Sequence, residues 1–130
     1  MKKRKYGNKK IITNDGEFDS KVEYNRWLVL RDAEMKGEIS NLRRQVEYTL
    51  VPVQYKTVVK HYKRSDKAVI RVAERAVKYI ADFVYNKPDG ELVVEDVKGY
   101  RDEKYPIKRK LMLYFHGIYI TEVQKASAPI

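Results

Sequence analysis

Residues 79–98 read Tyr79-Ile-Ala-Asp82-Phe-Val-Tyr-Asn86-Lys-Pro-Asp-Gly90-Glu-Leu-Val-Val-Glu95-Asp96-Val-Lys98. Two runs rich in β-branched and aromatic residues flank Asn86-Lys-Pro-Asp-Gly90, a cluster of turn-forming residues, so the stretch predicts a β-hairpin. Charge interrupts both runs, with Asp82 on the first strand and Asp96 and Lys98 on the second. Side chains alternate faces along a strand, which puts Asp96 and Lys98 on one face and Glu95 on the other. A turn centred near residues 88–89 sets Asp82 opposite position 95 or 96. Directly opposed positions carry Cβ atoms about 4.5–5.5 Å apart. Two carboxylates then converge on one small cation, with an ammonium beside them. The plain alternative is a structural Asp–Lys ion pair on a solvated sheet face. Ile80, Val84, Val94 and Val97 speak against it, because they predict strands covered on both faces. A charge buried there needs a partner or a metal, or its pKa shifts.

Upstream, Asp19 or Ser20 opens a helix over about 19–36. Ser20-Lys-Val-Glu23 has capping-box spacing and Gly37 stands at the stop. Tyr24, Trp27, Leu28 and Met35 fall at helical spacing and predict its core stripe. Glu23 is both a cap candidate and a site candidate. Val46, Tyr48 and Leu50 alternate with polar residues, so 43–51 reads as a strand, limited by Pro52. Gln45, near its start, is either a surface residue or a neighbour of the site. Residues 54–75 are β-branched and predict an extended hairpin arm around Arg64-Ser-Asp66, a short helix over 66–76 being the alternative. Downstream, a second helix spans about 105–116, with Pro106 near its start and Gly117 at its end. Ile107, Leu111, Met112, Tyr114 and Phe115 are its expected core face. Ile118 to Val123 forms a last strand.

The chain has 130 residues, 43% of them hydrophobic and none of them cysteine. That predicts one globular domain without disulfides or thiolate metal sites, in a cytoplasmic setting. The expected organisation is a basic arm over 1–16, a single domain over 17–125 and a frayed tail over 126–130. No apolar run reaches membrane-spanning length, and no helix sets a basic face against a broad apolar one, so a membrane partner is not expected. The net charge of +10 points to a polyanion, with nucleic acid first. Lys2, Lys3, Arg4, Lys5, Lys9 and Lys10 form an acid-free block suited to phosphates. Lys63 and Arg64 on the arm and Lys108 on the second helix are further candidates. His61, alone on a basic segment, reads as a surface residue, and His116 as a complement to its helix dipole.

Asp82, a hairpin and Asp96-Val-Lys98 together resemble the PD-(D/E)XK nuclease superfamily. The order helix, strand, strand, strand, helix, strand resembles its restriction-endonuclease-like αβββαβ core, a mixed central sheet flanked by helices. Ala81 stands where the family name has proline, at a loosely kept position. A small group of phage and prophage proteins is similar throughout, through Lys5-Tyr-Gly-Asn-Lys9, Phe18-Asp-Ser-Lys-Val-Glu23, Ala81-Asp-Phe83 and Glu95-Asp-Val-Lys-Gly99. The resemblance implies an Mg²⁺- or Mn²⁺-dependent DNA endonuclease in the host-cell cytoplasm. Asp82, Asp96 and the Val97 carbonyl would hold the metal, Glu23 would complete its shell, and Lys98 would stabilise charge or position water. Gln45 and Glu95 are possible accessories. Small stand-alone members include Holliday-junction resolvases, so branched or double-stranded DNA and a homodimer are expected. The competing expectation is a non-catalytic nucleic-acid-binding protein on the same fold.

Overall fold

The computed structural model describes residues 10–97 and 102–130. Lys98, and with it Lys2, Lys3, Arg4, Lys5 and Lys9, lie outside the described residues. The elements are β1 (Ile11–Thr13), β2 (Gly16–Phe18), α1 (Lys21–Met35), β3 (Ser40–Val51), β4 (Gln54–His61), β5 (Asp66–Glu74), β6 (Val77–Asn86), β7 (Leu92–Val97), α2 (Tyr105–His116) and β8 (Thr121–Val123). Four strands form the central sheet in the order β3-β6-β7-β8. The first three are antiparallel, while β8 joins β7 in parallel after the α2 crossover. The protein is thus mixed α/β, with a mixed sheet.

The turn chemistry of residues 86–90 produces the hairpin it predicts. Asp89 accepts from the Glu91 N–H at 2.8 Å, and Gly90 takes a φ of +90°, where a Cβ is disfavoured. Each strand then alternates between two cores. Phe83, Tyr85, Val93 and Val97 pack towards α1 with Leu30 and Ala33. Val84 and Val94 pack towards α2 with Tyr105 and Met112. Ser20 caps α1, its Oγ accepting from the Glu23 N–H at 3.1 Å, and the Glu23 carboxylate accepts from the Asp19 N–H at 3.2 Å.

Several sequence expectations need correction. The buried positions of α1 are Glu23, Arg26, Leu30 and Ala33, while Met35 is 80% exposed. The stripe facing the sheet carries a charge pair, so a search for apolar periodicity picks a neighbouring row. On α2 only Tyr105 and Met112 are buried, and Ile107, Tyr114 and Phe115 are exposed, because the helix meets the sheet along a narrow seam. Ile80 is half exposed, so that part of β6 is covered on one face only. The stretch 126–130 is held rather than frayed. Ala128 packs on the core, and the Ala126, Ala128 and Pro129 carbonyls accept from the Arg26 guanidinium. Within the expected basic arm, Ile11–Thr13 pairs with Gly16–Phe18 as a small hairpin, and Phe18 is buried under Arg44, whose guanidinium lies 3.6 Å from the ring centre.

Residues 54–74 form an arm, as their β-branched composition predicts. β4 and β5 pair only with each other, closed by the Tyr62 N–H on the Ser65 carbonyl at 2.8 Å. Pro52, which lacks an N–H, stands at the break between β3 and β4. His61 pairs with Asp66 at the surface, and the His116 ring meets the Thr49 carbonyl rather than a helix end.

Candidate active site

The side-chain alternation of β3 and β6 reverses at one level of the sheet. On β3, Leu42 and Arg44 face the α1 side, yet Val46, Tyr48 and Leu50 face the α2 side. On β6, Tyr79 and Ala81 face α2, whereas Phe83 and Tyr85 face α1. The slip falls at Gln45 and Asp82, which are skipped between the pairs Arg44↔Phe83 and Val46↔Ala81. Gln45 carries it with a φ of +51°, a left-handed conformation that costs a non-glycine residue on the order of 1 kcal/mol or more.

At the same level β6 and β7 part. Their ladder ends at Phe83↔Glu95, and Asp82 and Asp96 are the next residues beyond that last pair. The Asp82 carboxylate enters the gap and accepts from the Val97 N–H at 2.7 Å, replacing a lost ladder bond. Asp96 accepts from the Tyr79 hydroxyl at 2.8 Å. Both aspartates are about 95% buried. A cavity of about 200 Å³ opens onto Asp96, walled by Tyr79, Tyr105 and Asp102, with Lys78 and Lys108 at its edge.

Glu23 is fully buried at the first turn of α1. Besides the N–H of Asp19, the residue before the Ser20 cap, its carboxylate accepts from Gln45 Nε2 at 2.9 Å, so the helix start is tied to the strained residue at the slip. Glu23 thus serves the start of α1, and Gln45, an exposed residue, is its hydrogen-bond donor from β3.

Glu95 faces the other way. It receives two hydrogen bonds from the fully buried Arg26, at 2.9 and 2.7 Å, and one from the Tyr85 hydroxyl at 2.6 Å. Burial pulls the Arg26 guanidinium down, but the bonds and charge of Glu95 outweigh it, and the net shift is upward. Glu95 is therefore occupied structurally, on the face opposite Asp96. Nothing in a local pattern marks Arg26 as its partner, because the two are 69 residues apart.

Burial raises the Tyr79 phenol far above its ordinary value, and the Asp96 and Asp82 charges push it further. Burial, with Glu95, does the same to Tyr85. The folded protein thus keeps two phenolic protons that the unfolded chain releases near pH 10. Their stabilising contribution is complete below about pH 10 and is lost as pH rises towards the folded values. Thermal midpoints should fall above pH 10, and more gently in Tyr79→Phe and Tyr85→Phe. Equal alkaline slopes in all three proteins would refute the assignment.

Of the remaining candidates, Lys63 and Arg64 sit at the exposed tip of the arm, far along the chain from the acids. Lys10 pairs with Glu17 at 3.5 Å. Tyr79 was not foreseen. Three residues before Asp82, it should by simple alternation face the opposite side, and only the slip turns it towards Asp96.

Among the described residues no three His, Cys, Asp or Glu side chains converge on a common metal position. Asp82 and Asp96 are the residues that could hold a divalent metal, with the Val97 carbonyl as a further hard oxygen donor. That set suits Mg²⁺, which takes one or two carboxylates and completes its shell with water and phosphate.

The fold and site define a mixed α/β protein with an acidic pair buried where two central strands part. The chain belongs to the family described as "Protein of unknown function (DUF1064)", whose profile matches residues 3–127. No curated protein and no solved structure matches it. No helix among the described residues is long and apolar enough to cross a membrane.

Proposed function

We propose that this chain is a divalent-metal-dependent DNA endonuclease of the PD-(D/E)XK kind. The observation that carries the reading is the burial of Asp82 and Asp96 just past the end of the β6–β7 ladder, with Asp96 lining a cavity that Lys78 and Lys108 also line. Two such carboxylates are costly unless a cation shares the site. The element order and the hydrogen bond from Val97 to Asp82 support it.

Asp82, Asp96 and the Val97 carbonyl would hold Mg²⁺ or Mn²⁺. When bound, the metal lowers the pKa of a water and neutralises charge on the phosphate. Val97 and Tyr79 fix the two carboxylates through the bonds described above. Gln45 orients Glu23 towards the slip. Lys98 supplies an ammonium for charge or for the attacking water. Lys78 and Lys108 draw the backbone to the cavity. Water attacks phosphorus, one P–O bond breaks, and the leaving oxygen takes a proton.

Branched DNA is the proposed substrate, cut by a homodimer at four-way junctions in phage DNA processing. The resemblance to stand-alone resolvases supports this by analogy. A panel of duplex, flap, single-strand and four-way DNA with Mg²⁺ or Mn²⁺ tests it. The expected result is metal-dependent nicking that is strongest on the four-way substrate. The second reading, a non-catalytic DNA binder on the same fold, rests on the net charge of +10, which suits a polyanion with or without cleavage. Binding without cleavage across the whole panel would establish that alternative.

A further inference from the structure

The arm carries a second feature, independent of the acids. Its register sets Lys56 directly opposite Arg71 and Lys60 directly opposite Lys67, with Val58 opposite Val69 between them. Residues two apart share a face, so all four cations stand together and are exposed. Like charges directly opposed across a ladder destabilise it. None of the four forms an ion pair among the described residues, although Lys67 also lies 5.9 Å from the Tyr62 ring. Asp66, the nearest acid in the ladder, is turned to the other face, where it holds His61 and does not screen them. Apart from Thr57, the rest of that face is apolar along the ladder, with Tyr55, Val59, Ile70 and Val72. The ribbon therefore gathers the lysines and arginine of its paired strands on one face and keeps two repulsive pairs that any interspersed acid would relieve.

We infer that this face is a docking surface for double-stranded DNA, with one cation pair on each phosphate strand bordering a major groove. Within each strand the cations are four residues apart, about 13 Å at about 3.3 Å per residue. The major groove is about 12 Å wide, bordered by two phosphate rows, and admits a two-stranded ribbon. A single strand offers no second row at that spacing. The polyanion removes the repulsion that the free protein carries. The inference rests on the reading of the chain as DNA-acting but not on cleavage.

The test measures binding of a blunt duplex and of its single strand in EDTA, across a salt series. The variants are K56Q/R71Q, K60Q/K67Q and all four together, with K36Q, an exposed cation at the end of α1, as the control. Each neutralised phosphate contributes about 0.9 to the slope of log K on log salt. Each pair variant should flatten the duplex slope by about 1.8, the four-site variant by about 3.6, with thermal midpoints unchanged or raised. The pair variants decide the matter if the four-site protein does not fold. Unchanged duplex slopes, or equal losses on single-stranded DNA, would overturn the inference whatever the cleavage result. Absence of cleavage by the wild-type protein, with these slopes as expected, would sink the nuclease reading alone. The K36Q control should bind the duplex as wild type does.

Discussion

Asp82→Asn should abolish Mg²⁺-dependent cleavage, by at least about a thousandfold, and Asp96→Asn should do the same. A metal's stabilisation of transition-state charge is worth several kcal/mol, and about 4 kcal/mol is three powers of ten in rate. Asparagine keeps an oxygen that can accept from the Val97 N–H in one variant and from the Tyr79 hydroxyl in the other. The exchange replaces a charged acceptor by a neutral one, at a cost of about 1 kcal/mol. Thermal midpoints should thus fall by only a few degrees while activity disappears. Alanine is the poorer probe, since it strands a buried donor and costs about 1–3 kcal/mol. Wild-type cleavage by either asparagine protein, on a substrate the parent cuts, would remove the site assignment.

Arg26→Met should destabilise the protein by about 3–5 kcal/mol, a large part of the total for a domain this size. The substitution leaves the Glu95 carboxylate 99% buried with Tyr85 as its remaining hydrogen-bond donor on that face, and it releases the Ala126 and Ala128 carbonyls. The midpoint should drop by on the order of 10–20 °C. The double variant Arg26→Met, Glu95→Leu removes both charges and should recover most of the loss. Urea unfolding of the single and double variants decides it. A double variant as unstable as Arg26→Met alone would show that the cost lies in the released tail rather than in the uncompensated charge. The pair also matters for the site. By anchoring Glu95 towards α1, it holds the adjacent Asp96 towards α2.

The central hairpin and both helices were legible because their signals are local. Turn residues at 86–90, capping spacing at 20–23, and proline and glycine at the ends of α2 act on the backbone within a few residues. The β-branched content of 54–74 likewise specified an arm, and the period-2 rule correctly separated Glu95 from Asp96. What local pattern could not supply were relations across long separations. The buried stripe of α1 holds Glu23 and Arg26 because their partners lie on β3 and β7. Burial then tracks charge pairing instead of hydrophobicity, and the apolar row read from spacing is displaced. The reversal at Gln45 and Asp82 is a property of two strands held in register, and it alone brings Tyr79 to Asp96. The C-terminal stretch has no periodicity to reveal its docking. It is ordered by a guanidinium about a hundred residues earlier, whose remaining donors would otherwise be buried without acceptors.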